Sequence, residues 1–302
     1  QFPANPALPL LRQEQVVEAP IDQKTLTQRY TEEALTFIRS NVEQPFFLYM
    51  PHTMPHNPVF ASEAFKGKSA NGGYGDAIEE IDWSTGQILK LLEELKIDDC
   101  TLVVFTSDNG AAKRWGGSNA PLAGWKGSTM EGGQRVPCIV RWRGQIAPGA
   151  MSSEISSTMD LLPTITGLVG SDVAQDRVID GGDIWPILSS SEGSTSPYEA
   201  FYYYQQDQLQ AVRMGKWKLH LLLEKGRSLT GKDKETARPA RLYDLEADLG
   251  ESTNLINDHP NIVKFILALA NEAREDLGDR NTKGKGTRPA GLVENPRPLV
   301  KG

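Results

Sequence analysis

Two polar clusters follow short apolar runs: Ser107-Asp108-Asn109-Gly110 comes after Thr101-Leu102-Val103-Val104-Phe105-Thr106, and Pro51-His52-Thr53-Met54-Pro55-His56-Asn57-Pro58 comes after Phe46-Phe47-Leu48-Tyr49-Met50. In doubly wound sheets ligands gather just beyond the carboxyl ends of strands, so both clusters are site candidates by position. Asp108 offers a carboxylate and Asn109 an amide oxygen, hard ligands suited to Ca²⁺ or Mg²⁺ rather than to zinc or copper. Two oxygens fall short of the roughly six to eight ligands that Ca²⁺ takes. The same four residues are good turn formers, and turn-making alone accounts for them at least as well.

His52 and His56 are four residues apart, which on a helix would give one face a zinc-binding pair, but Pro55 disfavours that helix. In an extended chain the rings stand roughly 13 Å apart, so the two histidines should have separate roles. A lone histidine at a strand end is more often structural than catalytic. Lys126 lies in Gly124-Trp125-Lys126-Gly127-Ser128-Thr129-Met130-Glu131-Gly132-Gly133. Glycines there allow close backbone approach to a ligand, and an ammonium could hold an anionic oxygen; read alone, the loop fits a solvated lysine better.

The elements that must position these residues read as an α/β arrangement. Asp22 to Asn41 has the period of a helix with Tyr30, Ala34, Phe37 and Ile38 on one face. From Asp76 to Leu95, Ile78, Ile81, Ile88, Leu91, Leu92 and Leu95 mark a second amphipathic helix. The runs Phe46–Met50 and Thr101–Thr106 have the continuous apolar character of strands buried in a mainly parallel central sheet flanked by helices. Val136–Trp142 resumes as a strand, and Asp160-Leu161-Leu162-Pro163-Thr164-Ile165 opens a helix ending near Gly170. After about Ser189, short alternating runs at 201–204, 210–213, 217–220 and 241–245 predict a small antiparallel sheet. Ile262 to Leu277 reads as a helix closing over it through Phe265, Ile266, Leu269 and Leu277. Residues 1–188 are therefore expected to be part of a catalytic α/β domain, 189–280 a small antiparallel sheet with its helix, and 281–302 an extended tail.

A chain of 302 residues with 39% hydrophobic and 24% charged residues is expected to bury a globular core. Its net charge of -7 argues against nucleic acid as a partner. No stretch approaches the roughly 18 consecutive apolar residues of a spanning helix, and the start, Gln1-Phe2-Pro3-Ala4, has neither an initiator Met nor a signal pattern. That start is expected to lie downstream of the natural N-terminus. The two cysteines, Cys100 and Cys138, are too few for a disulfide framework and read as buried small hydrophobes, with a bridge between them left open.

Several of these segments, in this order, resemble the sulfatase family. Phe47-Leu48-Tyr49-Met50-Pro51-His52-Thr53-Met54-Pro55-His56 is similar to its histidine segment. Phe105-Thr106-Ser107-Asp108-Asn109-Gly110 is similar to its metal-ligand strand end, and Gly124 to Gly133 with Arg135-Val136-Pro137 to its lysine loop. Asp160-Leu161-Leu162-Pro163-Thr164, Val212-Arg213-Met214-Gly215-Lys216-Trp217-Lys218-Leu219 and Leu242-Tyr243-Asp244-Leu245 with Glu251 and Asn254-Leu255 are similar to later stretches, so the resemblance covers nearly the whole chain. It implies an incomplete alkaline-phosphatase-like α/β fold and a metal-dependent sulfuric ester hydrolase of arylsulfatase type. Asp108 and Asn109 would be two ligands of an active-site Ca²⁺, with Mg²⁺ as the alternative. Lys126 would bind the sulfate and its bridging oxygen, and His56 would contact sulfate and assist the leaving group. His52, Arg114 and Trp115 would lie where substrate binds. The implied substrate is a sulfate ester, conceivably of a carbohydrate, and the implied compartment periplasmic, secreted or lysosomal.

The chain also departs from the family pattern. An acidic Asp-Asp pair, a Cys (or Ser)-x-Pro-x-Arg segment oxidised to formylglycine, and a Lys-x-His segment are expected upstream of Gln1. Neither cysteine substitutes, because Thr-Leu-Val follows Cys100 and Ile-Val-Arg follows Cys138. Asp98-Asp99 begins the strand whose far end holds Asp108, roughly 20 Å away. The chain alone is thus expected to lack turnover, to bind Ca²⁺ weakly, and to expose a sheet surface where the missing half or another chain fits. Asp108, Asn109, Lys126 and His56 are expected to face one cleft. Two alternatives stay open: a phosphatase, phosphodiesterase or phosphonate hydrolase of the same superfamily, and a noncatalytic anion- or sugar-binding module. A dinuclear zinc site is hard to build from four histidines, His52, His56, His220 and His259.

Overall fold

Leu10–Arg12 (β1) and Gln15–Glu18 (β2) form a short antiparallel hairpin, after which Asp22 caps a 3₁₀ turn by accepting from Lys24 N. The turn leads into α1 (Leu26–Ser40). This computed structural model describes residues 7–190, 193–224 and 237–296 and places them in two compact units, one running to Asp98 and including the segment from Arg288, the other spanning Asp99–Thr287.

In the first unit α1 buries Leu26, Thr27, Thr31, Ala34 and Ile38 and packs on α2 (Gly72–Glu94), which buries Ala77, Ile81, Leu91 and Leu92. A buried hydroxyl pair, Thr31 Oγ1 and Ser84 Oγ at 2.6 Å, joins the two helices. Polar side chains on α2 fasten the preceding loop. Asp76 accepts from the N–H groups of Gly67, Lys68 and Ser69, and Glu80 Oε2 accepts from Ser62 N. The bonds from Gly67 and Ser69 hold the Asp76 carboxyl below its ordinary range. Both expected helices are therefore present, although Ile78 is turned out, 41% exposed.

Two strand expectations are not met among the described residues. Phe46–Met50 has no ladder partner: Phe47 and Tyr49 are 71% and 76% exposed, with Phe46, Leu48 and Met50 half-buried between them. The segment is covered on one side only, so its apolar run is not that of a strand buried on both faces. In the second unit, Val103–Thr106 (β3) pairs with Cys138–Arg141 (β4) antiparallel, Phe105 opposite Ile139, and no parallel pair occurs among the described residues. A parallel return needs a crossover of a dozen residues or more, usually helical. The connection here holds only α3 (Glu131–Gln134), four residues long. Cys100 and Cys138 form no disulfide and are exposed rather than buried, Cys138 because β4 turns the Cys138–Ile139 end outward.

After β4, Ser157 and Asp160 form a capping box ahead of α4 (Leu161–Leu168). Asp160 is fully buried and accepts from Ser157 N at 2.6 Å, Gly182 N at 2.9 Å and the Tyr198 hydroxyl. Burial and the Asp160 charge push that hydroxyl's pKa up. Gly182 leads into α5 (Trp185–Leu188). The expected small sheet follows: Phe201–Gln205 (β5), Gln208–Met214 (β6), Trp217–His220 (β7) and Arg241–Asp244 (β8), antiparallel in that order. One face packs Val212, Leu219 and Leu242 against Ile266, Leu269, Ala270 and Ala273 of α6 (Pro260–Leu277). Each of the buried Val, Leu and Ile side chains here contributes about 1.5–3 kcal/mol. Phe265 and Leu277, expected at that contact, are 50% and 44% exposed; Ala270 and Ala273 take their place on the buried stripe. Gly278–Asp279 (β9) and Thr282–Lys283 (β10) form a last two-stranded turn.

Candidate functional site

Ser107-Asp108-Asn109-Gly110 leaves the carboxyl end of β3 and is drawn at once against the glycine-rich loop. Gly110 N donates to Gly133 O at 3.2 Å, and Lys126 N donates to Ala111 O at 3.0 Å. Asn119 staples the two segments. Its Oδ1 accepts from Ala111 N at 2.8 Å, and its Nδ2 donates to Ala111 O and Gly124 O, each at 3.1 Å. The approach needs glycine on both sides, since a Cβ on Gly110 would collide with the carbonyl oxygen of Gly132. One on Gly132 would fall 2.6 Å from Ala123 O and 2.7 Å from Gly124 O. The structure thus brings the backbones carrying Asp108, Asn109 and Lys126 into direct contact.

Asp108 is exposed, and Asn109 and Lys126 are half-buried. Among the described residues, none of the three side chains has a hydrogen-bond or ion-pair partner. Two hard oxygen donors and an ammonium, on one hydrogen-bonded backbone unit and engaged by nothing in the protein, can hold a divalent cation and an anion. Asp108 and Asn109 fit Ca²⁺ or Mg²⁺ by donor chemistry, but they are two donors, and no group of three His, Cys, Asp or Glu side chains suited to a metal occurs among the described residues. Arg114 and Trp115 are exposed on the same stretch, Trp115 by 49%. Later in the same loop, an open depression of about 250 Å³ is lined by Ser118, Asn119, Leu122, Arg135 and Pro137. Asn119 is shared between the depression and the staple.

The histidines belong to the first unit. His56 is exposed and its Nδ1 lies 2.8 Å from Asn57 O. A carbonyl only accepts, so Nδ1 carries the proton and Nε2 is the ring's other, unengaged nitrogen. His52 is half-buried against Tyr30, ring centroids 6.4 Å apart, and its Nδ1 is buried without a partner. Burial pushes the His52 pKa down and favours its neutral form. The two rings are in different surroundings, as the intervening Pro55 led one to expect.

A cluster that sequence reasoning passed over lies behind the lysine loop. Lys218 of β7 is wholly buried, with Nζ 2.8 Å from Glu131 Oε1 and 3.2 Å from Glu251 Oε1. Tyr203 donates its hydroxyl to Glu131 Oε1 at 3.0 Å, and Arg213 stands 3.6 Å from Glu131 Oε2. His220 Nε2 is 2.6 Å from Glu251 Oε1, whose other oxygen accepts from Glu131 N at 2.7 Å. Burial raises the Glu251 pKa, but the His220 bond, the Lys218 charge and the Glu131 N–H together hold it below its ordinary value. The charges stand in segments already singled out, yet a lysine alternating with Trp217 and Leu219 reads as the solvent side of a strand. Only the loop covering that face makes it interior.

Residues 2–171 match the family model described as Sulfatase, and residues 196–289 the C-terminal region of aryl-sulfatase. The chain is 42% identical over 206 residues to steryl-sulfatase of Mus musculus, covering 66% of this chain and 33% of that protein. It is 44% identical over 233 residues to N-acetylgalactosamine-6-sulfatase of Mus musculus, covering 72% and 44%. A solved Bacteroides thetaiotaomicron structure described under metabolism of multiple glycosaminoglycans superposes with a TM-score of 0.74 at 29% identity, covering 85% of this chain and 56% of that one. The chain therefore spans between a third and just under half of the length of these curated relatives.

Proposed function

We propose, since this chain belongs to the sulfatase family, that it works in the hydrolysis of sulfate esters and supplies the part of the site that binds and polarises the sulfate. The observation that carries this reading is the stapling of the Asp108-Asn109 turn to the Lys126 loop, with all three side chains left unengaged. Lys126 donates to the sulfuryl oxygens and to the bridging oxygen, where negative charge grows as the S–O bond breaks. As the imidazolium, His56 carries an Nε2–H beside the Nδ1–H held by Asn57 O, and passes the Nε2 proton to the leaving oxygen, becoming the neutral ring. Asp108 and Asn109 would hold Ca²⁺, with Mg²⁺ as the alternative. Such a cation neutralises charge on the sulfuryl oxygens. No attack step is assigned to this chain, because neither Cys100-Thr101-Leu102 nor Cys138-Ile139-Val140 has the Cys-x-Pro-x-Arg spacing that a formylglycine precursor requires.

Arg114 and Trp115 are proposed to meet the part of the substrate beyond the sulfate. The relatives of near-equal identity are named for a sterol and for an amino sugar, so what they share is the sulfate, and the remainder must be read by loops. An exposed indole and a guanidinium, a few residues before Ser118 and Asn119 in the same loop, suit a sulfated carbohydrate: the ring stacks on a sugar face and the cation pairs with a second anionic group. A further polypeptide surface is proposed to cover the apolar side chains of Phe105 and Ile139. No helix among the described residues is long and apolar enough to cross a membrane.

The test is an assay of the complete gene product on aryl sulfates and aryl phosphates, with Lys126→Ala and chelator-treated enzyme beside it. Aryl-sulfate turnover that falls by about a hundredfold or more in Lys126→Ala is expected. A preference for aryl phosphates would move the protein to the phosphoester hydrolases of the superfamily. Sulfate binding without turnover would make it an anion-binding module.

A further inference from the structure

We infer that Lys218 is a positioning residue for Lys126, acting through Glu131 and Glu251 to hold the glycine-rich loop on the four-stranded sheet. This rests on the reading of Lys126 as the sulfate-binding cation. The Lys218 ammonium is wholly buried and is met by Glu131 Oε1, Glu251 Oε1 and the Tyr203 ring, 4.2 Å from its centroid. Glu131 is held twice. Its carboxylate takes Lys218 and the Tyr203 hydroxyl, while its backbone N–H is taken by Glu251 Oε2. That residue lies five positions after Lys126, and the chain closes back directly behind it: Gly132 N donates to Ala123 O at 2.6 Å and Gly133 N to Met130 O at 2.9 Å. Thr129 Oγ1 adds a bond to Gln210 Oε1 at 3.2 Å. The loop is thus fixed to β6 and β7 at Thr129 and Glu131, and to the Asp108-Asn109 turn at the Lys126 N–H.

The sheet does not need these charges to cohere. Its opposite face has an apolar core of Val212, Leu219 and Leu242 against α6. A buried ionic cluster is a poor route to stability compared with apolar residues of like volume; what it adds is direction, because each charge accepts only a partner in one place. Here every partner leads to the loop.

Hydrogen–deuterium exchange on the full chain, comparing wild type with Lys218→Met, Lys218→Arg and Glu131→Gln, tests this. In Lys218→Met the amides of residues 124–130 should exchange about tenfold faster or more, while α6 amides between 266 and 273 keep their protection. Lys218→Arg and Glu131→Gln, which keep donors and acceptors in place, should restore part of the loop's protection. Unchanged exchange in 124–130 would overturn the inference. So would loop and α6 loosening together in Lys218→Met with no rescue by arginine, since that is the mark of a purely structural lysine. Titration with inorganic sulfate separates this from the function it rests on. If a Lys126→Ala chain binds sulfate as wild type does, the sulfate role of Lys126 falls, while the exchange result still decides whether Lys218 positions the loop.

Discussion

Charged residues of this chain divide into those the fold has engaged and those it has left alone, and the division separates stability from chemistry. Asp160 is engaged on both oxygens by Ser157 N, Gly182 N and the Tyr198 hydroxyl, in a fully buried place. Asp108 and Lys126 are engaged by nothing among the described residues. Substituting Asp160→Ala strands buried donors, and is expected to cost about 1–3 kcal/mol or more in urea unfolding. Asp108→Ala and Lys126→Ala should stay within about 0.5 kcal/mol of wild type in the same measurement. A loss of stability in either of the latter would show that they brace the fold, and would count against the binding roles given them. The candidate residues were legible from the sequence because ligand chemistry shows in residue type: a carboxylate beside an amide at a strand end, a lysine among glycines. The roles of Glu131, Lys218 and Glu251 were not legible, because they depend on which face of a strand another segment covers.

At the scale of elements, the four-stranded sheet has two unlike faces, and each is read in the sequence to a different depth. Alternation predicted the strands and the closing helix, since Leu219 and Leu242 recur with the period of a half-buried sheet against the 3.6-residue stripe of Ile266, Leu269 and Ala273. Phe265 and Leu277 misled because a helix near the surface carries apolar residues off its buried stripe. The Phe46–Met50 strand and the parallel sheet are not seen among the described residues, and sequence alone could not settle them, because a short apolar run shows that a segment is apolar, while its partner and direction are long-range properties. The second, ionic face of the sheet has a pH consequence. Glu251 keeps its carboxyl below the ordinary value of about 4.3, so its contribution is fully present above that value and is lost as pH falls through the lower, folded one. Glu251→Gln should therefore be less stable than wild type near neutrality, by about 1–3 kcal/mol, since Glu131 still pairs the Lys218 charge. Below about pH 4.3 the gap between the two should narrow. Urea midpoints at neutral pH and near pH 3.5 check this; a gap that stays constant would mean Glu251 does not carry the linkage.

Over the whole molecule the conspicuous feature is apolar surface on extended backbone. Phe105 and Ile139 face each other across β3 and β4, 36% and 63% exposed, in a ribbon of only two strands. Among the described residues no third strand pairs with the outer edge of either strand, and large apolar side chains stand next to those edges. Such edges pair readily with other chains unless they are blunted by charge or covered. The relatives matched are two to three times as long as the matched part, which is consistent with the proposal that further polypeptide covers this ribbon. Charge decides when the exposed ribbon associates by itself. At pH 7 the net charge of -7 opposes self-association, and that opposition vanishes near the sequence pI of about 5.3. Sedimentation of the 302-residue chain should therefore show reversible association that strengthens as pH is lowered from 7 toward about 5.3. Ile139→Lys removes the more exposed side chain of the pair and adds a charge to the edge, so it should weaken that association at every pH. Its folded stability should change by no more than about 0.5 kcal/mol, the side chain being mostly in solvent already. If Ile139→Lys associates as wild type does, the contact lies elsewhere, with Phe47 and Tyr49 of the first unit the next to be substituted.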